Sequence, residues 1–510
     1  AQPQTEPTHS KVSSADLSPK IPADISSNLD REKKLEQKNF PLLQERFDRF
    51  SWDEFIAINW PLNTENKPLP NITDNGKPRW LTWYESPQVF RPDGSNPQDD
   101  TPRFCRNNPG NKRELYLTSS VFSNTVDSDI ADEVNQAFTT PLYDQDGKEV
   151  RYEVFLNDKE YDYIVENKLY NLDGQIEYSQ THHAPVKFPS GDYFTGELGA
   201  IELKLAWKEL SDRDIDSRFY TETVLLPKLD KNGEPETDKN GNFKSCTEKK
   251  MGLVGMHISQ KTRSSPQWIW STFEHVDNLN ADDSQVQDGK HLHALFHDYS
   301  AAGQTLPVNV PPISRNSQGK PDPKGVKKTQ VSRPIPVPGL AQRVNHEYQQ
   351  KLAEVNSPLQ YYELIDTQWP TAPYTDFPNY GAVGGSPFPS NLPEGITRKS
   401  TGAPAPVYLT NSIMETYLQA GNQAAHFQEN GFPFDNTQVF GTESCMACHF
   451  SAGIATGYEM KKLNSKNNPN GELVKVPIFG GDLTGDFSWL LQQKAQWKDK
   501  QPVLKRAFAR

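Results

Sequence analysis

The stretch "AIELKLAWKE", residues 200–209, sets the kind of fold this chain can build. Ile201, Leu203, Leu205 and Trp207 recur at every second position, and a period of two places them on one face of a β-strand. Working outward, the same period appears upstream in "EVRYEVFLN", where Val150, Tyr152 and Val154 alternate with charged neighbours. Downstream, "YTETVLL", "MGLVGMHIS" and "QWIWSTFEHV" read as further strands. The middle of the chain is therefore expected to be β-rich.

Helical spacing takes over at the flanks. Asn157 is a good N-cap, so "DKEYDYIVENKLYN" predicts a helix. In "FSWDEFIAINWP", Ser51 and Glu54 have capping-box spacing, and Phe50, Trp52, Phe55, Ile56 and Ile58 supply the apolar face of a short helix ending near Pro61. Leu340, Val344, Tyr348, Leu352 and Val355 are helically spaced. Thr410 is placed to cap a helix with Ile413, Met414, Tyr417 and Leu418 on one face, and Thr484 one with Phe487, Leu490, Leu491 and Ala495. The two "DKNG" tetrapeptides, 230–233 and 238–241, read as turns because Asn and Gly tolerate positive φ. They lack the ligand spacing of a calcium loop.

These readings predict an α+β fold with many long Pro/Gly-rich loops. Residues 1–37 form a polar N-terminal arm and 38–303 a β-rich main body. Residues 304–338, with eight prolines, form a connector, and 339–510 a mostly helical C-terminal segment packed onto the body. Of the 510 residues only 34% are hydrophobic, and no run approaches the ~18 apolar residues of a membrane-spanning helix. A net charge of −12 argues against nucleic acid as a partner. The chain opens "AQPQTEPTHS" without Met, as a mature exported chain does, so a periplasmic or extracellular location is expected. Cys105 and Cys246 are isolated, and in an oxidising compartment they are either a disulfide or two thiols.

The chemistry is concentrated in "GTESCMACHF", residues 441–450. Two cysteines three positions apart followed at once by histidine is the spacing of a c-type haem anchor: the sulfurs reach two vinyl groups and the histidine reaches the iron. With four Cys and eleven His in the chain, chance yields the pattern in roughly one such sequence in a thousand. A redox dithiol would call for a preceding buried strand, whereas "FPFDNTQVFGTES" is turn-rich. A structural zinc site would call for a second ligand pair that the sequence lacks. Cys445, Cys448 and His449 are thus the expected attachment and iron-ligand residues for one covalent haem c.

The opposite axial position has several candidates. Met460 is the nearest downstream methionine, and His257 and His275 are candidate distal acid–base groups from the β-rich region. Trp268 and Trp270 could relay electrons or simply pack in the sheet. His293 and His297 in "HLHALFHDYS" have the spacing of one helical turn, which can hold zinc or copper but lacks the Glu of HExxH. His182 and His183 have no visible partners in the sequence.

The motifs "SCMACH", "TNSIMETYLQ" and "DFSWLL", together with "SWDEFIAINWP", "MGLVGMHISQKT" and "WIWSTFEHVDN", resemble a family of large secreted bacterial proteins known only as cytochrome c family proteins. The similarity runs from about residue 50 to 495. It implies one c-type haem, on Cys445, Cys448 and His449, beside a large non-haem portion, and carries no reaction with it. The expected function is exported one-electron transfer with a redox protein or small-molecule donor or acceptor. The alternative is a haem-dependent oxidoreductase, peroxidase- or oxygenase-like, in which the large body forms a substrate pocket. A third reading treats the haem as a structural staple in a surface-binding protein.

Overall fold

In the computed structural model, which describes residues 16–26, 40–115, 142–230, 235–310, 328–371, 373, 404–406, 408–419, 444–462, 471, 473–481 and 483–499, the 201–209 strand lies inside one large antiparallel sheet. The elements that matter are, in chain order, α1 (Phe40–Ile58), β1 (Arg151–Leu156), α2 (Asp158–Glu166), α3 (Leu172–His182), β2 (Ile201–Glu209), β3 (Thr221–Pro227), β4 (Cys246–Gln260) and β5 (Ile269–His275). They continue with α4 (Gly339–Glu354), β6 (Tyr362–Pro370), α5 (Cys445–Phe450), β7 (Ala455–Lys462), β8 (Leu473–Phe479) and α6 (Leu490–Lys494). Across the sheet the order is Pro404–Ala405, β6, β5, β4, β2, β1 and Tyr84–Glu85, with β3 pairing the first half of β4.

Alternation gives the sheet two unlike faces. Phe155, Leu203, Leu205, Met256, Ile258, Phe273 and Leu364 pack against Trp52 and Phe55 of α1 and Val344, Tyr348 and Leu352 of α4. Phe55 stacks on Phe273 at 4.2 Å, and Trp52 on Tyr348 at 5.3 Å. The opposite face carries Trp270 and is covered from the C-terminal part of the chain by Met446, Phe450, Ile454, Leu490 and Leu491. The molecule is therefore α+β, with the sheet as its middle layer.

Several local expectations shift. Ser51 and Glu54 do not cap a helix, because α1 begins eleven residues earlier, at Phe40, and both sit inside it. Their polarity serves the sheet instead: Ser51 Oγ bonds Ser271 Oγ at 2.7 Å and Thr367 Oγ1 at 2.6 Å, while Glu54 Oε1 accepts from Ser271 at 2.8 Å. Thr410 gives way to its neighbour Asn411, whose Oδ1 accepts from Ile413 N at 2.9 Å and opens only a short turn. Thr484 Oγ1 turns back to Gly481 O, and α6 starts six residues later. The cap at Asn157 is as expected, its Oδ1 accepting from Glu160 N at 3.1 Å, although α2 ends at Glu166 and a second helix, α3, follows.

The stretch expected to be mostly helical, 339–510, supplies β6 to the same sheet as residues 151–275, and β7 and β8 form a hairpin. β6 is buried along almost its whole length, so its sequence, "YELIDTQWP", shows no alternation to read. Cys105 and Cys246 form a disulfide. The second "DKNG" is a turn in which Asp238 accepts from Asn240 N and Gly241 takes φ +83°; the first, and residues 311–327 of the connector, reach outside the described residues. Among the described residues no helix is long and apolar enough to cross a membrane.

Candidate functional site

Register, set by antiparallel pairing, builds one wall of a cavity. Val154, Lys204, His257 and Thr272 are direct cross-strand neighbours in β1, β2, β4 and β5, and so stand in a row on one face. Two residues along, Glu202, Ser259 and Trp270 make the next row on that face. These side chains, with Cys445, Cys448 and His449 of α5, Leu409 and Glu415, and Trp489, Leu490, Gln493 and Lys494 from the α6 region, line a cavity of about 970 Å³ including its open mouth.

The CxxCH helix is held over this wall from β6. The buried Gln368 donates through Nε2 to Pro406 O at 2.6 Å and to Ser444 Oγ at 2.8 Å, and its Oε1 accepts from Met446 N at 2.7 Å. Met446, Ala447 and Phe450 bury the inner side of α5, which turns Cys445, Cys448 and His449 to the cavity. The two sulfurs are not joined to each other. Burial pushes the Cys445 thiol up, so it is neutral at ordinary pH.

His449 is oriented by a strained loop. Leu483, Asp486 and Phe487 all take left-handed φ, +68°, +49° and +66°, which non-glycine residues adopt at a cost. That path delivers Phe487 O to His449 Nδ1 at 2.8 Å, and Trp270 lies against the imidazole with ring centroids 4.6 Å apart. Because Nδ1–H donates to the carbonyl, Nε2 is the lone-pair nitrogen. Burial pushes the ring's pKa down to about 3, against the pull of that hydrogen bond, with His257 and Lys204 adding to the shift. A neutral, tautomer-fixed imidazole is the ligand form.

On the facing wall, His257 Nε2 bonds Glu415 Oε2 at 3.0 Å and Nδ1 bonds Thr272 Oγ1 at 2.6 Å. Both ring nitrogens are engaged, so His257 stands as a polar, proton-bearing group rather than an open ligand. Lys204 is the direct cross-strand neighbour of His257. Burial brings its pKa down to about 8, with Glu415 and Cys448 pulling the other way.

The residues fit a covalent haem. Two sulfurs and one neutral imidazole nitrogen share a cavity wall, in the Cys-x-x-Cys-His order that such attachment uses.

Other candidates lie elsewhere. His275 is wholly buried, donating from Nε2 to Arg218 O at 2.7 Å and accepting at Nδ1 from Asp277 N at 3.0 Å; it does not line the cavity. It stacks on Phe219 at 4.4 Å. Met460 is 51% exposed on the β7–β8 hairpin and is also absent from the wall. Trp268 donates to Asp486 O at 3.0 Å, and only Trp270 of the two tryptophans reaches the cavity. His293 and His297 do not share a helix. His293 joins Asp214 at 3.0 Å, beside Asp146, where Lys208 and Arg213 already supply countercharge, while His297 donates to Val331 O. His182 stacks on Tyr178 at 4.0 Å.

Lys204, Glu202 and Glu415 are cavity residues that sequence reasoning passed over. In "AIELKLAWKE" the charges between apolar residues look like an ordinary solvent face, and only the burial of β2 between β1 and β4 shows otherwise. No family model, curated protein or solved structure matches the chain.

Proposed function

We propose that this chain is an exported c-type cytochrome that carries one haem on Cys445 and Cys448, with His449 on its iron, and exchanges single electrons with an external donor or acceptor. The observation that carries this reading is the commitment of His449 Nδ1 to Phe487 O, which leaves Nε2 as the available ligand atom in a cavity shared with both sulfurs. Bound there, the haem supplies a one-electron couple. The chain encloses it: Trp270, Leu409 and Leu490 line the cavity, and Gln368 holds the attachment helix to the sheet. The disulfide suits an oxidising compartment, which covalent haem attachment also calls for. The sequence resemblance to large secreted cytochrome c family proteins points the same way.

The test is intact mass after production in a host that matures c-type cytochromes. A mass increase of one haem that survives denaturation, and is lost in Cys445→Ser with Cys448→Ser, is the expected result. Bare polypeptide with both thiols open to alkylation sinks the reading.

A second reading, a haem-dependent oxidoreductase, is favoured by the polar wall of Lys204, His257 and Glu415. These groups can hold a small substrate and exchange a proton with it. Rapid cyanide binding by the oxidised protein, and peroxide-dependent turnover slowed about tenfold or more in His257→Ala, would support catalysis. Failure of every small ligand to bind leaves electron transfer alone.

A further inference from the structure

Glu160 of α2 is wholly buried, and neither of its carboxylate oxygens receives a hydrogen bond from a donor group. What it meets is another carboxyl, that of Glu202 on β2, within hydrogen-bonding reach. Two ionised carboxylates cannot share a dry site, because each repels the other and both lose hydration. A hydrogen bond between them requires at least one proton. Glu202 also accepts from Ser488 Oγ, and its remaining open edge lines the cavity that holds Cys445, Cys448 and His449.

Asp486, on the loop carrying Ser488, is paired with Lys261 of the β4–β5 connection at 2.6 Å. On the same sheet face Lys204 is two residues from Glu202, and His257, next to it, is bound to Glu415. Lys494, His449, Cys445 and Cys448 complete the titratable groups on the cavity wall, and Asp158 and Asp162 of α2 are exposed to solvent. Burial raises both carboxyls; the charge and hydrogen bond of Glu202 push Glu160 further, well above the ordinary range, whereas the hydrogen bonds from Glu160 and Ser488 pull Glu202 part of the way back.

We infer that Glu160 and Glu202 form a proton-holding dyad on the cavity wall, and that the protein takes up a proton there when its haem gains an electron. This rests on the reading of the cavity as a haem site. The balance is simple: one electron arrives from an external one-electron donor, one proton arrives from water onto the carboxyl pair, and both leave on reoxidation. Added negative charge on the cofactor strengthens proton binding at a carboxyl that shares its low-dielectric cavity, and the bound proton in turn favours the reduced state. The protein would then exchange electron and proton together rather than a bare electron.

The experiment is a spectroelectrochemical titration of the full haem-loaded chain between about pH 5 and 9. A midpoint potential that falls with pH is expected, approaching about 59 mV for each tenfold change in proton concentration where coupling is complete. Glu202→Gln and Glu160→Gln each keep a hydrogen bond to the remaining carboxylate and should flatten that slope, while Asp162→Asn, exposed on α2 and outside the cavity, should retain it. A pH-independent potential in the native protein, or a slope unchanged in both glutamine variants, overturns the inference and leaves the haem reading intact. If the variants fail to fold, proton uptake by the native protein on reduction in weakly buffered indicator dye decides. Up to one proton per electron supports the dyad, and none refutes it. Absence of attached haem overturns the reading on which the dyad's role depends.

Discussion

His257 and His275 sit in neighbouring strands and serve opposite ends. His257 pairs across the sheet with Thr272, which puts it on the face of Trp270 and so in the cavity. His275 belongs to the alternate set of β5 positions, where it satisfies Arg218 O and Asp277 N inside the core. His275→Ala should therefore cost about 2–4 kcal/mol of stability, from a cavity and two orphaned buried polar groups. It should leave the absorption spectrum of the loaded protein unchanged. A denaturant melt read beside that spectrum checks both, and a shifted spectrum with little lost stability would count against this placement. Which face each histidine takes within its own strand is legible in the sequence. Which faces of different strands coincide is not, since register depends on long-range pairing.

At the scale of elements, the position of α5 depends on Gln368 more than on any helical preference of its own six residues. A helix this short does not stand without tertiary support. Gln368→Leu fills similar volume but strips the donor from Ser444 and Pro406 and the acceptor from Met446 N. Leaving that buried N–H unpaired costs about 1–3 kcal/mol. The expected outcome is a lower melting temperature and a reduced fraction of chains carrying haem, read as the ratio of haem absorbance to protein; unchanged loading and melting would show that α5 is held otherwise. Period-two strands were readable where apolar residues alternate with charged ones in the sequence, as at Ile201, Leu203 and Leu205 of β2, whereas β6, covered on both faces, offers no alternation. The CxxCH spacing is legible as chemistry. The strained loop that gives His449 its carbonyl partner is not, because nothing in "LTGDFSW" names three left-handed residues.

For the whole molecule, the disulfide closes a sequence separation of 141 residues and ties the loop at Cys105 to the first residue of β4. In the chain-entropy account, opening a link of that span costs roughly 5 kcal/mol at most. Cys105→Ser with Cys246→Ser should lower the denaturation midpoint and leave the cavity's spectrum in place. The broader electrostatic character lies in buried acids of α1 and β6. Burial pushes Asp53 up to about 6 and Asp366 up to about 6, while Glu363 is pushed up to about 7 and Glu54 and Asp48 are also well raised. In the unfolded chain the same groups release their protons near pH 4. Between about pH 4 and 7 the native state therefore binds more protons than the unfolded one, and stability must fall as pH rises through that window. Asp214 works the other way: against the cost of burial, His293 and Lys208 hold it low, so its contribution disappears only in acid. The two trends together place maximal stability on the mildly acidic side. Thermal melts should give a melting temperature several degrees higher near pH 5 than near pH 8. Glu54→Gln, which keeps the bond with Ser271 but cannot ionise, should flatten part of that decline. A stability profile that instead rises from pH 5 to 8 would show that these acids are not held protonated by their burial.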